Sequence, residues 1–146
     1  SELIKHSLKP DGIALLHSIG RNRPMLMNAW IEKRIFPGAY PPSIGEFMEL
    51  CEHSDFSVLD VENLRLHYAQ TLTHWMDNFT ANQDKVTEMY DEHFTRAWRL
   101  YLAGSIAAFR AGSLQLFQVV FTHGDNNQLP RSRQDLYTFP ATPEGI

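Results

Sequence analysis

His17 stands near the end of an apolar run, Ile13-Ala14-Leu15-Leu16-His17-Ser18-Ile19, that closes at Gly20. An imidazole there can donate or accept a hydrogen bond, or carry a proton, near neutral pH. By itself a histidine so placed reads equally as a satisfied core residue. Tyr68 opens a stripe of Leu72, Trp75, Met76 and Phe79, where a phenol offers an apolar body and a donor tip. Ser105 lies on a second stripe with Phe94, Trp98, Tyr101, Leu102 and Phe109. A small residue at that position also suits close helix packing. His67 and His74 are seven apart and share a helix face, but Asp60 and Glu62 belong to the strand before and no third ligand is suitably spaced, so no metal site is expected. The single cysteine, Cys51, excludes an internal disulfide and a cysteine-based zinc site on this chain alone, and predicts a reducing, cytoplasmic setting.

The elements that must position these residues follow from pattern. Continuous rather than alternating hydrophobicity over Ile13–Ile19 predicts a strand buried on both faces, in an α/β sheet covered by helices on each side. Lys9-Pro10-Asp11-Gly12 turns the chain into it from the last turns of a helix over 1–7. A short helix is expected over Asn28–Ile35, and the Pro37–Pro42 loop excludes regular structure. Ser43 and Glu46 form a capping box that opens a helix to about His53. Phe56–Asn63 reads as a second strand. The two aromatic stripes predict two helices, the second ending at Ala111-Gly112. Ser113–Thr122 is a third strand, apolar on both faces except at Gln115 and Gln118. From Gly124 the composition turns polar, so residues 124–146 read as a tail and 1–123 as the folded segment. Three strands are few for an independent doubly wound sheet, and the first is apolar enough to need a neighbour on each side. That predicts sequence upstream.

Composition narrows the class further. The 146 residues are 43% hydrophobic and 21% charged, which fits one globular domain. No stretch approaches the roughly 20 apolar residues of a membrane span. The mixed polar start at Ser1 predicts no signal peptide. The net charge of −4 is uneven: residues 1–34 carry six Lys/Arg against three Asp/Glu. That basic third suits an anionic lipid surface or simple solvation, and no dense stripe of a nucleic-acid binder is present.

Four stretches together carry a family pattern. They are Leu8-Lys9-Pro10-Asp11-Gly12 leading to Leu15-Leu16-His17-Ser18-Ile19-Gly20; Trp30-Ile31-Glu32-Lys33-Arg34-Ile35-Phe36-Pro37-Gly38; Leu66-His67-Tyr68-Ala69-Gln70-Thr71-Leu72 with Trp75; and Tyr101-Leu102-Ala103-Gly104-Ser105 through Ala108-Phe109-Arg110 into Leu114-Gln115-Leu116-Phe117-Gln118-Val119-Val120-Phe121. In this order the chain resembles bacterial cyclopropane-fatty-acyl-phospholipid synthases and the mycolic acid cyclopropane synthases over roughly residues 1–123. The resemblance implies strands five to seven, with their helices, of a class I S-adenosylmethionine-dependent methyltransferase of Rossmann-like fold. The last strand would run antiparallel between the other two. The glycine-rich cofactor loop is expected upstream: the chain's eight glycines form no G-x-G pattern, so no cofactor-binding residue is assigned here.

The resemblance also implies a chemistry. Methyl transfer from a sulfonium to the cis double bond of an acyl chain, then loss of a proton, closes a cyclopropane ring. The implied base is a bound bicarbonate, gripped by His17, the backbone of Ile19 and the Tyr68 hydroxyl, with a glutamate and a cysteine expected upstream. Ser105 replaces a cysteine found in several relatives, which removes any thiol role. Trp75 and Phe109 are candidates for an acyl-chain wall, and Tyr40 for a contact at its mouth. Implied partners are a phospholipid acyl chain, the inner face of a membrane touched peripherally, and a second copy or the missing N-terminal half. Two other readings stand beside this one: a non-catalytic module that binds an acyl chain or partner, and a methyltransferase of the same family with another acceptor.

Overall fold

In the computed structural model, which describes residues 2–134, the last strand in sequence lies at the centre of the sheet. Strand β1 (Ile13–Gly20) and strand β2 (Phe56–Asn63) both pair antiparallel with β3 (Gln115–His123), and the order is β1-β3-β2. In this register His17 faces Gln118 and Ile19 faces Leu116, while Glu62 faces Gln118 from the other side. The antiparallel central position expected for the last strand is therefore present.

The strands differ in burial for a physical reason. β3 has a neighbour on each edge and apolar cover on both faces, so Leu116, Phe117, Val119 and Phe121 are all buried. β1 carries an equally apolar run, yet Ile13 is 45% and Leu15 58% exposed. It is an edge strand among the described residues, with alternating exposure instead of the two-sided burial its sequence predicts.

Six helices accompany the sheet among the described residues: α1 (Glu2–Ser7), α2 (Ala29–Arg34), α3 (Ile44–His53), α4 (Arg65–Ala81), α5 (Gln83–Met89) and α6 (Glu92–Ala111). Their ends are set by side chains. Asn28 caps α2 through Trp30 N at 3.0 Å, and the reciprocal Ser43–Glu46 box opens α3. Asp91 accepts from Phe94 N to start α6, and Gly112 ends it at φ 79°, a left-handed conformation suited to glycine. The sequence pattern predicts two helices between β2 and β3, and the structure has three. The extra one, α5, is polar except for Val86 and Met89 and so shows no apolar stripe.

Alternation along the strands divides the core in two. Phe117, Val119 and Phe121 pack with Ala14, Leu16, Ile44, Phe47, Met48, Phe56 and Val58 under α3. On the opposite face Leu116 joins Ala69, Leu72, Phe79, Leu102 and Phe109 of α4 and α6. Beyond β3 the chain stays attached: Gly124 N donates to Asp55 O at 2.9 Å, Asn126 Nδ2 donates to Thr122 Oγ1 at 2.8 Å, and Arg133 pairs with Asp60. Residues 135–146 of the expected polar tail lie outside the described residues.

Candidate functional site

The face of the sheet under α4 and α6 holds the residues singled out from sequence. His17 and Ile19 share one side of β1 because strand side chains alternate. Ile19 packs on the α4–α6 cluster and sits opposite Leu116. The Leu116 carbonyl accepts a hydrogen bond from Leu64 N at 2.8 Å, and the Leu64 carbonyl accepts one from Tyr68 N at 2.9 Å. Tyr68 is thus held one helical turn from a residue bonded to Ile19's own strand partner. Residues about fifty apart in sequence meet at one end of the sheet. Arg65 fixes the start of α4, since its Nη1 donates to the carbonyls of Phe109 at 2.6 Å and Arg110 at 2.9 Å.

The ring of Tyr68 lies edge-on to Phe109 at 4.9 Å and to Trp75 at 6.0 Å. Burial holds its phenol above the usual value of 10.0, and the neighbouring phenol of Tyr101 adds to the rise. Burial raises Tyr101 too, partly offset by a side-chain hydrogen bond with Ser105. Two phenols that stay protonated, with a serine hydroxyl beside them, make a set of neutral donors. On the strand side, Gln118 Nε2 lies 3.2 Å from His17 Nδ1. With the amide N–H donating, the ring proton rests on Nε2 and that nitrogen is left as a donor. Glu62 is Gln118's other cross-strand neighbour, so imidazole, amide and carboxylate form one row across the sheet.

The other candidates are placed as follows. Ser105 is half-buried and acts on Tyr101. Trp75 is 47% exposed and covers the Tyr68 ring. Phe109 is 1% exposed, a core residue that meets the site through Tyr68. Tyr40 stands apart from this group. Its hydroxyl donates to Glu46 at 2.8 Å, and that hydrogen bond is the main cause of its raised pKa. Cys51 is the buried residue of α3, on the other side of the sheet, and burial pushes its thiol up. Sequence reasoning did not single out Gln118 or Arg65. Gln118 left a trace, as one of two polar breaks in an apolar strand. A wide polar groove lined by Asp84, Thr87, Glu88 and Glu92 lies between α5 and α6 and shares no residue with this site.

The fold sets the class: the C-terminal part of a class I methyltransferase sheet. Among solved structures, the chain is similar to the cyclopropane synthase MmaA2 from Mycobacterium tuberculosis, with 25% identity and a TM-score of 0.74 over 82% of this chain and 48% of that one. It is also similar to the mycolic acid cyclopropane synthase CmaA1 complexed with SAH and CTAB, with 29% identity and a TM-score of 0.73 over 80% of this chain and 46% of that one. The family model of mycolic acid cyclopropane synthetase matches residues 1–119, and the chain belongs to that family. Its relatives include the cyclopropane-fatty-acyl-phospholipid synthase of Escherichia coli K12, 37% identical over 132 residues that make up 90% of this chain and 34% of that protein. A probable fatty acid methyltransferase of Pseudomonas putida is 37% identical over 86% of this chain and 33% of its own length. The chain spans about a third of the length of these relatives.

Proposed function

We propose that this chain is the C-terminal part of an S-adenosylmethionine-dependent enzyme that converts a cis double bond in a phospholipid acyl chain to a cyclopropane ring. The observation that carries the reading is the Ile19–Leu116–Leu64–Tyr68 connection, which gathers His17, Ile19 and Tyr68 on one face. A purely structural face has no need of an imidazole on its strand and of two protonated phenols with a serine hydroxyl on its helices.

Bicarbonate fits this donor set: His17 Nε2–H and the Tyr68 hydroxyl would donate to its oxygens, with the Ile19 backbone beside them. When bound, it supplies the acceptor for the proton lost on ring closure. Around it, Gln118 holds the His17 proton on Nε2, and burial keeps Tyr68 protonated as a donor. Trp75 and Phe109 brace the Tyr68 ring, and Trp75 offers an apolar wall for the acyl chain. S-adenosylmethionine does not fit the residues present, since no G-x-G turn exists to approach it, so its site belongs to upstream sequence.

The exposed apolar edge at Ile13 and Leu15 supports pairing of β1 with such an upstream strand or a second copy. Among the described residues no helix is long and apolar enough to cross a membrane. The reading accordingly has the enzyme meet its lipid from the membrane surface.

The test is product analysis. The natural full-length protein is incubated with methyl-labelled S-adenosylmethionine and dioleoylphosphatidylglycerol vesicles, and the released fatty acids are analysed by mass spectrometry. A labelled cyclopropane acid is expected. A methyl-branched chain or a labelled amine would instead favour another acceptor, and no product with cofactor bound would favour the non-catalytic module.

A further inference from the structure

Arg21 directly follows β1, two residues past Ile19, and is only 8% exposed. Its main chain is fixed on both sides: Arg21 N donates to Pro42 O at 2.9 Å and Arg21 O accepts from Ile44 N at 3.0 Å. Its guanidinium has no carboxylate partner among the described residues. Nη1 reaches the Met25 thioether at 3.1 Å, a weak acceptor, and Nε is buried with no hydrogen-bond partner at all. Tyr40 lies within electrostatic reach, since the Arg21 charge opposes the rise in its phenol pKa. Glu46 is already engaged by Ser43 and the Tyr40 hydroxyl. A permanently charged group withdrawn from water in this way calls for an anion.

The geometry limits what that anion is. Nε–H and one Nη2–H lie along a single edge of the planar guanidinium, and that edge takes two oxygens of one phosphate side-on. Nη1 is on the other side, with Met25, so the phosphate-binding edge is the one left without a protein acceptor. It stands two residues past Ile19 in the chain and is bonded to Pro42 of the Pro-rich loop, so a phosphate held there would lie at the end of the strand that carries the site.

We infer that Arg21, with Tyr40 beside it, is a phosphate-binding subsite that takes the headgroup phosphodiester of the lipid substrate. The inference rests on the lipid reading above and adds the residue that recognises the lipid's polar end.

The test uses the natural full-length protein, wild type and R21M, with R21K as the conservative variant and thermal melts to follow folding. Binding is measured by co-sedimentation with dioleoylphosphatidylcholine vesicles doped with dioleoylphosphatidylglycerol, with mixed micelles of dioleoylglycerol, which lacks phosphate, and with inorganic phosphate alone. R21M is expected to weaken phospholipid binding about tenfold or more, to leave dioleoylglycerol binding unchanged, and to raise KM for the phospholipid with little change in kcat. R21K is expected to fall between. The inference is overturned by equal phospholipid binding in R21M. It is also overturned if R21M melts earlier with unchanged lipid KM, since Arg21 would then pair with an upstream carboxylate. Inorganic phosphate bound as tightly as the lipid would mean a free-phosphate site and overturn it too. If wild-type protein binds no phospholipid at all, the lipid reading itself fails, which is a distinct result.

Discussion

The two faces of the sheet are built from alternate residues of the same three strands, and they differ in kind. Under α3, Phe117, Val119 and Phe121 meet Phe47, Phe56 and Met48, with the Phe56 and Phe121 rings 5.0 Å apart. Under α4 and α6 the same strands present Ile19 and Leu116 to an apolar cluster, but also His17, Gln118 and Glu62, and the helices add Tyr68, Tyr101 and Ser105. One face contributes cohesion, and the other gives up part of its apolar contact to hold polar groups near low-dielectric surroundings. For Tyr68 and Tyr101, burial also holds the phenols in the protonated form.

If that division is correct, mutations on the two faces should separate stability from activity. The largest effect is expected from Phe121→Ala, which removes a ring buried under α3. It should cost about 3–5 kcal/mol in urea unfolding, with activity per folded molecule preserved. Tyr68→Phe removes a single hydroxyl from the other face. It should lower kcat about 100-fold if the donor acts on developing charge, and leave the unfolding midpoint nearly unchanged. A Tyr68→Phe protein with full turnover would break the comparison. Gln118→Leu should lower kcat about tenfold, on the scale of one hydrogen bond to a charged group. Histidine side-chain nitrogen resonances should show His17 losing its preference for the Nε2–H tautomer, and a merely structural glutamine would leave that preference intact.

The smallest effect concerns pH. Burial raises the Tyr68 and Tyr101 phenols above 10.0. A raised acid of this kind contributes stability that is fully present below the unfolded value and lost as pH rises through the folded one. Absorbance titration near 295 nm should therefore show these two tyrosines, like Tyr40, ionising above the usual value, together with a loss of stability on the alkaline side. Tyr68→Phe should remove one of them.

Much of the fold was legible because its signals are local. Phe56–Asn63 forms a strand over the residues its pattern predicts, β1 extends the predicted strand by Gly20, and the Ser43–Glu46 box is made in full. Helix α5 was not legible, because a seven-residue polar helix is defined by what it packs on and not by its own periodicity. The exposure of β1 was not legible either, since a continuous apolar run does not say which of its faces is covered. For the site, His17, Ile19 and Tyr68 came through family resemblance. Gln118 needed strand register, which a one-residue slip would reverse and which no single sequence specifies. Tyr101 read as core because its ring is part of an apolar stripe, and the position of its hydroxyl depends on how α4 and α6 pack. Arg21 read only as one of the basic residues of 1–34, suited to an anionic lipid surface or to solvation, because its burial beside Pro42 and Ile44 is a tertiary contact.

The central place of β3 has a consequence during synthesis. Within the described residues β1 and β2 do not pair with each other, and each has β3 as its strand partner. The ribosome makes them first and their common partner last, so contacts such as His17 to Gln118, 101 residues apart, have to wait for it. At about 5–20 residues per second the wait is on the order of ten seconds. Until then β1, and β2 once it has been made, lack the strand partner they share, a window in which chaperones or neighbouring nascent chains compete for their backbone edges.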